Sequence, residues 1–388
     1  VCRRWQKSVL LVSVLTSAIR VSSLARGSEK RVAPARLCAT GDNWMRRERD
    51  IEAVAEFMKN HNELMALACH RTPIPPPVSK GSHRPAVNAA PPLPLQPIPL
   101  EQLPDLPPLR LAVVGHVEVV TFLELEQLPR AGMVQSARRV LDLPGGAGAV
   151  AAVQLARLTG VPVRFFTALG RDAVGEAAAA TLTHLGLELE VAWRQAPTRR
   201  GISFCDGSGE RSIVVIGERL GPRAADLLPW HWLADCDGVF ASAADAPALR
   251  LARAARVLTA TPRLRLPVLQ EAAVALDALI GSALDPAEQV PAGALQPPPA
   301  LSIATAGAAG GQADPLGSFA APCRQEPVVD SYGAGDSFAA GVTAGLAAGW
   351  SPHQAISLGC HCGSACLNGL GPYASQLERQ AGGWGAAS

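Results

Sequence analysis

Two hydrophobic periods alternate along residues 109–349. Short runs of consecutive apolar residues, LRLAVVG (109–115), VRFFTAL (163–169), DGVFAS (237–242), LDALIGS (276–282) and LSIATAG (301–307), show no polar face and read as strands buried on both sides. Between them lie small-residue segments that read as helices. These are AGAVAAVQLARLTG (147–160), opened by a Gly turn and stopped at Gly160, AVGEAAAATLTHLG (173–186), ALRLARAARV (248–257) and FAAGVTAGLAAG (338–349). Such alternation predicts an α/β fold with a mostly parallel sheet and helices on both faces. Two stretches break the rhythm. Residues 116–143 carry short alternating pieces around Pro129 and Gly132, and residues 198–215 read as two strands joined by the turn Asp206-Gly207-Ser208-Gly209.

The first 109 residues follow a different pattern. Residues 1–39 hold one acid, Glu29, among Arg, Lys and Ser, with a single apolar run at 8–19 that is too short to span a bilayer. The run suits a signal-peptide core or a transit peptide, and the acid-poor flanks favour transit. That reading places the protein in a plastid or mitochondrion; otherwise it is cytoplasmic. Residues 50–69 have helical spacing, and residues 70–109 are rich in Pro and read as an extended linker. The expected organisation is an extension (1–109), a compact domain (110–378) and a tail (379–388).

Composition narrows the function. The net charge of +2 gives no field for nucleic acid or an anionic membrane, and an aromatic content of 4% leaves few platforms for stacking bases. Nine Cys, odd in number and scattered, suit reduced thiols inside a cell. Cys360-His361-Cys362 with Cys366 invites a metal reading. Ser351-Pro352-His353-Gln354, however, is a helix start with Pro at N1, which puts only Cys362 and Cys366 on a common face.

The chemistry concentrates in VDSYGAGDSF (329–338). Gly333 and Gly335 let turn amides approach an anion, and the helix that follows adds its positive dipole end. Asp336 stands where an anion would sit. A carboxylate there suits a base that takes a proton from a hydroxyl about to attack phosphorus. An ordinary capping acid on a Gly turn is the plainer alternative.

This segment resembles the D-T-x-G-A-G-D signature of the ribokinase-like (PfkB) carbohydrate kinases. The resemblance runs over roughly residues 110–377. LAVVG is similar to the family's opening strand, PGGAGAV to its G-G-x-x-x-N element and LGRDAVG to its G-x-D-x-x-G turn. SALD (282–285) is similar to N-x-x-E, and TAGAAG (305–310) to T-x-G-x-x-G. It implies a ribokinase-like α/β/α sandwich with a small β-sheet lid, and ATP-dependent phosphorylation of a hydroxyl of a sugar or sugar-like alcohol. Asp336 would be the base, with the amides of Gly333, Ala334 and Gly335 as the anion hole. It further implies nucleotide contacts from Ser282, Thr305, Gly307, Gly310, Cys360 and His361. Mg²⁺ would be assisted through water by Asp285, and a monovalent cation such as K⁺ held at Asp330 and Ser375. Asp330 could equally be a turn-forming acid and Asp285 an exposed loop acid. The expected partner is a small molecule, with neither nucleic acid nor membrane, and a homodimer would form through the lid.

At the acceptor end the chain departs from the family. Val120 stands where relatives carry a sugar-gripping Asp, Val150 where they carry Asn, and Ala147 where Lys is common. Sites built to pair hydroxyls lose affinity without such partners. His116 and Glu118, with Gly145, Gly146 and Arg199, are the candidate substrate contacts, and Arg200, Arg211 and Arg219 are further basic candidates for an anionic group. Polar residues at a strand end and solvated Arg are the plainer alternatives. Three other readings remain: a nucleotide-binding relative that lost catalysis, a nucleoside kinase with an apolar pocket built on Val120, Val150 and Phe122, and a dinucleotide fingerprint at PGGAGAV. The last lacks its third Gly and follows a poor buried strand, RRVLDLP.

Overall fold

The computed structural model describes residues 93–388 apart from 208, 210, 381, 382, 387 and 388. The transit segment, the helix expected at 50–69 and most of the Pro-rich stretch lie outside the described residues.

The apolar runs become a nine-stranded sheet. Its parallel members are β1 (Leu111–Val114), β4 (Val163–Gly170), β5 (Leu187–Arg194), β8 (Gly238–Ala241), β9 (Val257–Ala260), β10 (Ala278–Ser282) and β11 (Ser302–Thr305). An antiparallel hairpin, β12 (Gly311–Asp314) and β13 (Gly317–Phe319), extends one edge, giving the order β13-β12-β11-β10-β9-β8-β1-β4-β5. Period-2 alternation splits each run between two cores. Val113, Phe165 and Ile280 pack on one face, and Ala112, Val114, Phe166 and Leu279 on the other. The first face is covered by α1 (Ala147–Thr159), α2 (Ala173–His184), α5 (Ala334–Ala347) and α6 (Pro352–Cys366). The second is covered by the short α3 (Ala246–Ala252) and α4 (Leu266–Ala272).

The irregular stretches form the lid sheet, ordered β3-β2-β6-β7. It joins β2 (Glu118–Glu124), β3 (Arg139–Gly145), β6 (Arg200–Cys205) and β7 (Arg211–Ile216). RRVLDLP is therefore a strand, but of this exposed sheet and not of the core.

Abundant Ala and Gly have a packing reason. A Cβ on Gly341 would lie 2.8 Å from the Cα of Gly359, and one on Gly345 2.7 Å from the Cα of Ala355, so α5 and α6 approach backbone to backbone. The thiol of Cys362 packs against Gly341 in this seam. The Ser351/Gln354 capping box starts α6 as its sequence predicts.

Three expectations need revision. The segment 248–257 is not one helix: α3 stops at Ala252, and Val257 already belongs to β9, a four-residue buried strand too short for periodicity to reveal. The compact unit begins upstream of residue 110. Leu103, Leu106 and Leu109 are buried while the residues between them are exposed, and Leu103 lies at φ −73°, ψ 145°. A spacing of three is the period of polyproline II, so the prolines that exclude helix still leave one apolar edge to dock. Leu95 adds a bridge to Phe319, and Ile98 N–H donates to Ser357 Oγ (3.0 Å). The expected tail is the hairpin β14 (Leu377–Gln380) and β15 (Gly383–Ala386), and Arg379 donates back to the Leu106 carbonyl at 3.0 Å.

Candidate active site

The turn before α5 is held from below. Asp330 is fully buried, and its carboxylate accepts from the Tyr332 amide (2.9 Å) and the Gly371 amide (3.0 Å). Gly333 sits at φ 82°, where a Cβ would meet Val150 Cγ1 at 2.9 Å and Pro372 Cβ at 3.0 Å. Val150, the unexpected residue of α1, is thus the floor of the turn. Gln376 ties α1 to α5 by donating to the Val150 carbonyl and to Ser337 Oγ, both at 3.1 Å.

No side chain caps α5. Apart from a long contact of the Ala334 amide to the Ser331 carbonyl (3.5 Å), its first amides are therefore available to an outside acceptor. Gly335 is exposed, and a Cβ there would meet nothing within 4 Å. Asp336 lies in the first turn of α5. Burial pushes its carboxyl above the ordinary range, against the pull of the Arg263, Arg211 and Arg219 guanidiniums. A carboxylate raised in this way and surrounded by cations is a good proton acceptor.

Facing it is a network whose pairings, and whose members Arg263 and Glu288, motif reading missed. Arg263, after β9, pairs through Nε with Glu288 (2.6 Å) and more loosely with Asp285 (3.8 Å). Glu288 also accepts from the Ser282 amide (3.0 Å), and burial raises its carboxyl despite Arg263. Tyr332 accepts from the Gly146 amide (2.9 Å) and donates to Glu118 (3.3 Å), whose other oxygen pairs with Arg199 Nε (2.9 Å). His116 Nδ1 lies 2.9 Å from Arg219. Burial and then Arg219, Arg199 and Arg263 lower its pKa well below the usual histidine value, so it is a neutral acceptor.

The remaining sequence candidates divide. His116, Glu118, Gly145, Gly146 and Arg199 do converge, but His116 and Glu118 are buried and already engaged with Arg219 and Arg199. Val120 and Phe122 lie in the core. Ser282 Oγ accepts from the Leu284 amide, Thr305 Oγ1 donates to the Gly281 carbonyl, and Asp285 accepts from the Ala287 amide. Gly307 and Gly310 both have positive φ, and Gly310 passes so close to Phe319 that no side chain fits. Ser375 donates to the Cys366 carbonyl. His361 is bonded through Nε2 to the Ile98 carbonyl, and Cys360 lies under Ala320. His361 lines a cavity of about 430 Å³ shared with Gln96, Leu100, Pro322 and Cys323. This cavity lies along the docked N-terminal segment, away from Asp336.

The sequence profile of the pfkB family carbohydrate kinases matches residues 109–285 and 276–379. The chain belongs to this family. A ribokinase of Arabidopsis thaliana is 32% identical over 111 residues, a match that spans 28% of this chain and 29% of that protein. Among solved structures, a Thermotoga maritima ribokinase superposes with a TM-score of 0.54 at 20% identity, over 68% of this chain and 94% of that one. Arabidopsis thaliana ribokinase complexed with ribose and ATP gives 0.51 at 20% identity, covering 68% and 94%. The adenosine kinase of Sinorhizobium meliloti gives 0.54 at 18% identity, covering 69% and 96%. At these identities the superpositions establish the fold. Within this pfkB-family fold, Glu288 and Arg263 were invisible to motif matching because each acts through a partner more than 20 residues away, and Tyr332 sits inside the motif but its partner Glu118 lies 214 residues off. TPR (261–263) at the end of a buried strand was the one local signal for Arg263.

Proposed function

We propose that the protein transfers the γ-phosphoryl group of ATP to a hydroxyl of a sugar or sugar-like alcohol, with Asp336 as general base. The observation that carries this reading is a raised carboxyl in the first turn of an uncapped helix N-terminus. Asp336 takes the proton of the acceptor hydroxyl. The acceptor oxygen forms its bond to the γ-phosphorus as the bond from phosphorus to the bridging oxygen breaks, and that electron pair leaves with ADP. The amides of Ala334 and Gly335, with Gly333 shaping the turn, meet charge on the transferred group, and Arg263 adds a cation beside it. Thr305, Gly307 and Gly310, with Ser282, Cys360 and His361, are the proposed nucleotide side.

Two ions belong to this proposal. Mg²⁺ would neutralise phosphate charge, and the half-exposed Asp285 carboxylate, 3.8 Å from its nearest cation, suits a water-mediated contact. A monovalent cation at Asp330 and Ser375 would use lone pairs left after Asp330 accepts its two amides. The lid would close over the acceptor and exclude water. Its edge strand β7 leaves Ile213, Val214, Val215 and Ile216 exposed, a surface suited to a second copy. Among the described residues no helix is long and apolar enough to cross a membrane. Residence in a plastid or mitochondrion remains a proposal resting on residues 1–39.

ADP release with Mg²⁺ and K⁺ over a panel of alcohols, beside Asp336→Asn, tests the reading. Acceptor-dependent ADP that disappears in the variant supports it. ATP binding without turnover on any acceptor would replace it with a nucleotide-binding relative that acts by interaction.

A further inference from the structure

The sheet order locates a second feature. From β1 the chain proceeds through β4 and β5 to one side, while β8 to β11 run to the other, so the crevice between the carboxyl ends of β1 and β8 is the topological switch point. Arg219 is anchored there. Its guanidinium donates to the Ser242 carbonyl after β8 (2.9 Å), to the Arg263 carbonyl (2.7 Å) and to His116 Nδ1 after β1 (2.9 Å). None of these partners carries negative charge, since His116 is the neutral acceptor.

Arg219 is the anomaly of the site. Arg199 has Glu118 and Arg263 has Glu288 and Asp285, but no carboxylate among the described residues forms an ion pair with Arg219. Its Nε is buried with no hydrogen-bond partner. Burial first, then the Arg263 and Arg199 guanidiniums, lower its pKa to about 10. Arg265 adds to that repulsion and itself holds a left-handed backbone (φ 74°), a strained state for a non-Gly residue. A partly buried guanidinium with three other cations around it, attracted by Glu118 and Asp336 only from beyond ion-pair distance, is poorly compensated in the free protein. It becomes favourable when a ligand supplies the anion, and a planar fork suits a phosphate or carboxylate.

The nucleotide does not account for it. The Thr305 turn follows β11, four strands along the sheet from β1, or roughly 19 Å at the usual strand spacing. Arg263, after β9, lies between the two ends and serves the reacting centre. We infer that the acceptor is an anionic polyol, a sugar monophosphate or a sugar acid, whose charged group is read by Arg219 in the crevice between β1 and β8. The inference rests on the proposed kinase reading for the word acceptor, but the binding it asserts stands on Arg219 alone.

The test is calorimetric titration of the full chain, without ATP, with matched sets of pentoses and hexoses, their monophosphates, and the corresponding aldonic and uronic acids. The monophosphate and acid arms separate the two anion chemistries. Wild type is expected to bind one anionic arm at least about 100-fold more tightly than the neutral parents. Arg219→Gln should remove that difference, and Arg219→Lys, which keeps the charge but not the fork, should keep only part of it. Arg219→Gln should leave ATP affinity unchanged and the free protein melting no lower, whereas an arginine with a merely structural role would lower the melting temperature on removal. Equal binding of neutral and anionic sugars, a preference that survives Arg219→Gln, or loss of ATP affinity in that variant overturns the inference. ADP release in parallel samples reports on the kinase reading separately. Anion-selective binding with no ADP sinks that reading alone, and turnover confined to neutral alcohols sinks only the inference.

Discussion

The two ends of the site are built from different material. The proposed phosphate end is backbone: a Gly333 turn, uncapped amides and Val150 pressed beneath them, with Asp336 as the proposed base. The proposed acceptor end is charge: Glu118 with Arg199, Glu288 with Arg263, and Arg219 with no paired acid among the described residues. Backbone sites are rigid and generic, because every phosphate presents the same oxygens. Side-chain networks are specific, because moving one charge changes which ligand is complementary. The proposed enzyme therefore keeps its chemistry in one place and its choice of acceptor in another.

The sharpest way to break this comparison is Asp336→Asn. Phosphoryl transfer should fall by roughly 10²–10⁴ while ATP and acceptor binding persist, as measured by ADP release beside titration. A companion readout is pH. Because burial raises the Asp336 carboxyl in the fold, the acidic limb of kcat should lie above the ordinary carboxylate range near pH 4. The neutral His116 should contribute no limb between pH 6 and 7. A limb at or below pH 4 would remove Asp336 as the base.

Next come the two glycines of the turn, which should separate shape from access. Gly333→Ala must hold an L-residue at φ 82° against Val150, so it should lose roughly 1–3 kcal/mol of stability and about 10²-fold in kcat. Gly335→Ala has open space and a helical position, so its melting temperature should not fall. Any loss of rate in that variant would report directly on approach of the phosphoryl group. Equal destabilisation by both would mean that the turn is a fold element with no catalytic demand on it.

A third substitution asks whether the backbone-built end depends on the docked N-terminal segment. Leu106 is 2% exposed, so Leu106→Ala should lower stability by about 2–3 kcal/mol in chemical denaturation. The Michaelis constants should not move, because the segment touches α6 and the C-terminal hairpin but not Asp336. A chain starting at Arg110 should be less stable than one starting at residue 93.

These tests also trace what could be read in advance. Five of the seven parallel strands (β1, β4, β8, β10 and β11), the helix starts at Gly146 and Ser351 and the GAGD turn were legible because each depends on neighbours within a few residues. The lid strands were legible as alternation. Leu103, Leu106 and Leu109 were in view as a spacing of three, but a Pro-rich run suggests a linker to anyone searching for periods of 2 or 3.6. Most residues of the acceptor network were in view as candidates, but their pairing was not legible. Tyr332 reaches Glu118 across 214 residues, and Arg219 reaches His116 across 103. Nothing local marks a residue whose meaning lies in the charge its partner lacks. Val150 illustrates the converse: it looked like a lost hydrogen bond, and it is the floor of the turn.

The smallest expected effect belongs to Glu288, and it probes the paired half of the acceptor end. Arg263 is half-exposed (49%) and keeps Asp285 within 3.8 Å after Glu288→Gln, so water and the second acid replace most of what is lost. The change in stability near pH 7 should stay within about 1 kcal/mol, and kcat should fall by less than about tenfold. The pH dependence carries the sign. Burial raises the Glu288 carboxyl in the folded state, so its contribution to stability is present below the unfolded carboxylate pKa near 4.3 and declines as pH rises through the folded value. Glu288→Gln removes that decline, and the variant should gain on wild type between pH 4 and 7 in denaturant melts. A variant that instead loses ground as pH rises would show the Arg263 pair to be stronger than the burial that opposes it. The acceptor end would then be a preformed ion-pair lattice with one deliberate gap at Arg219.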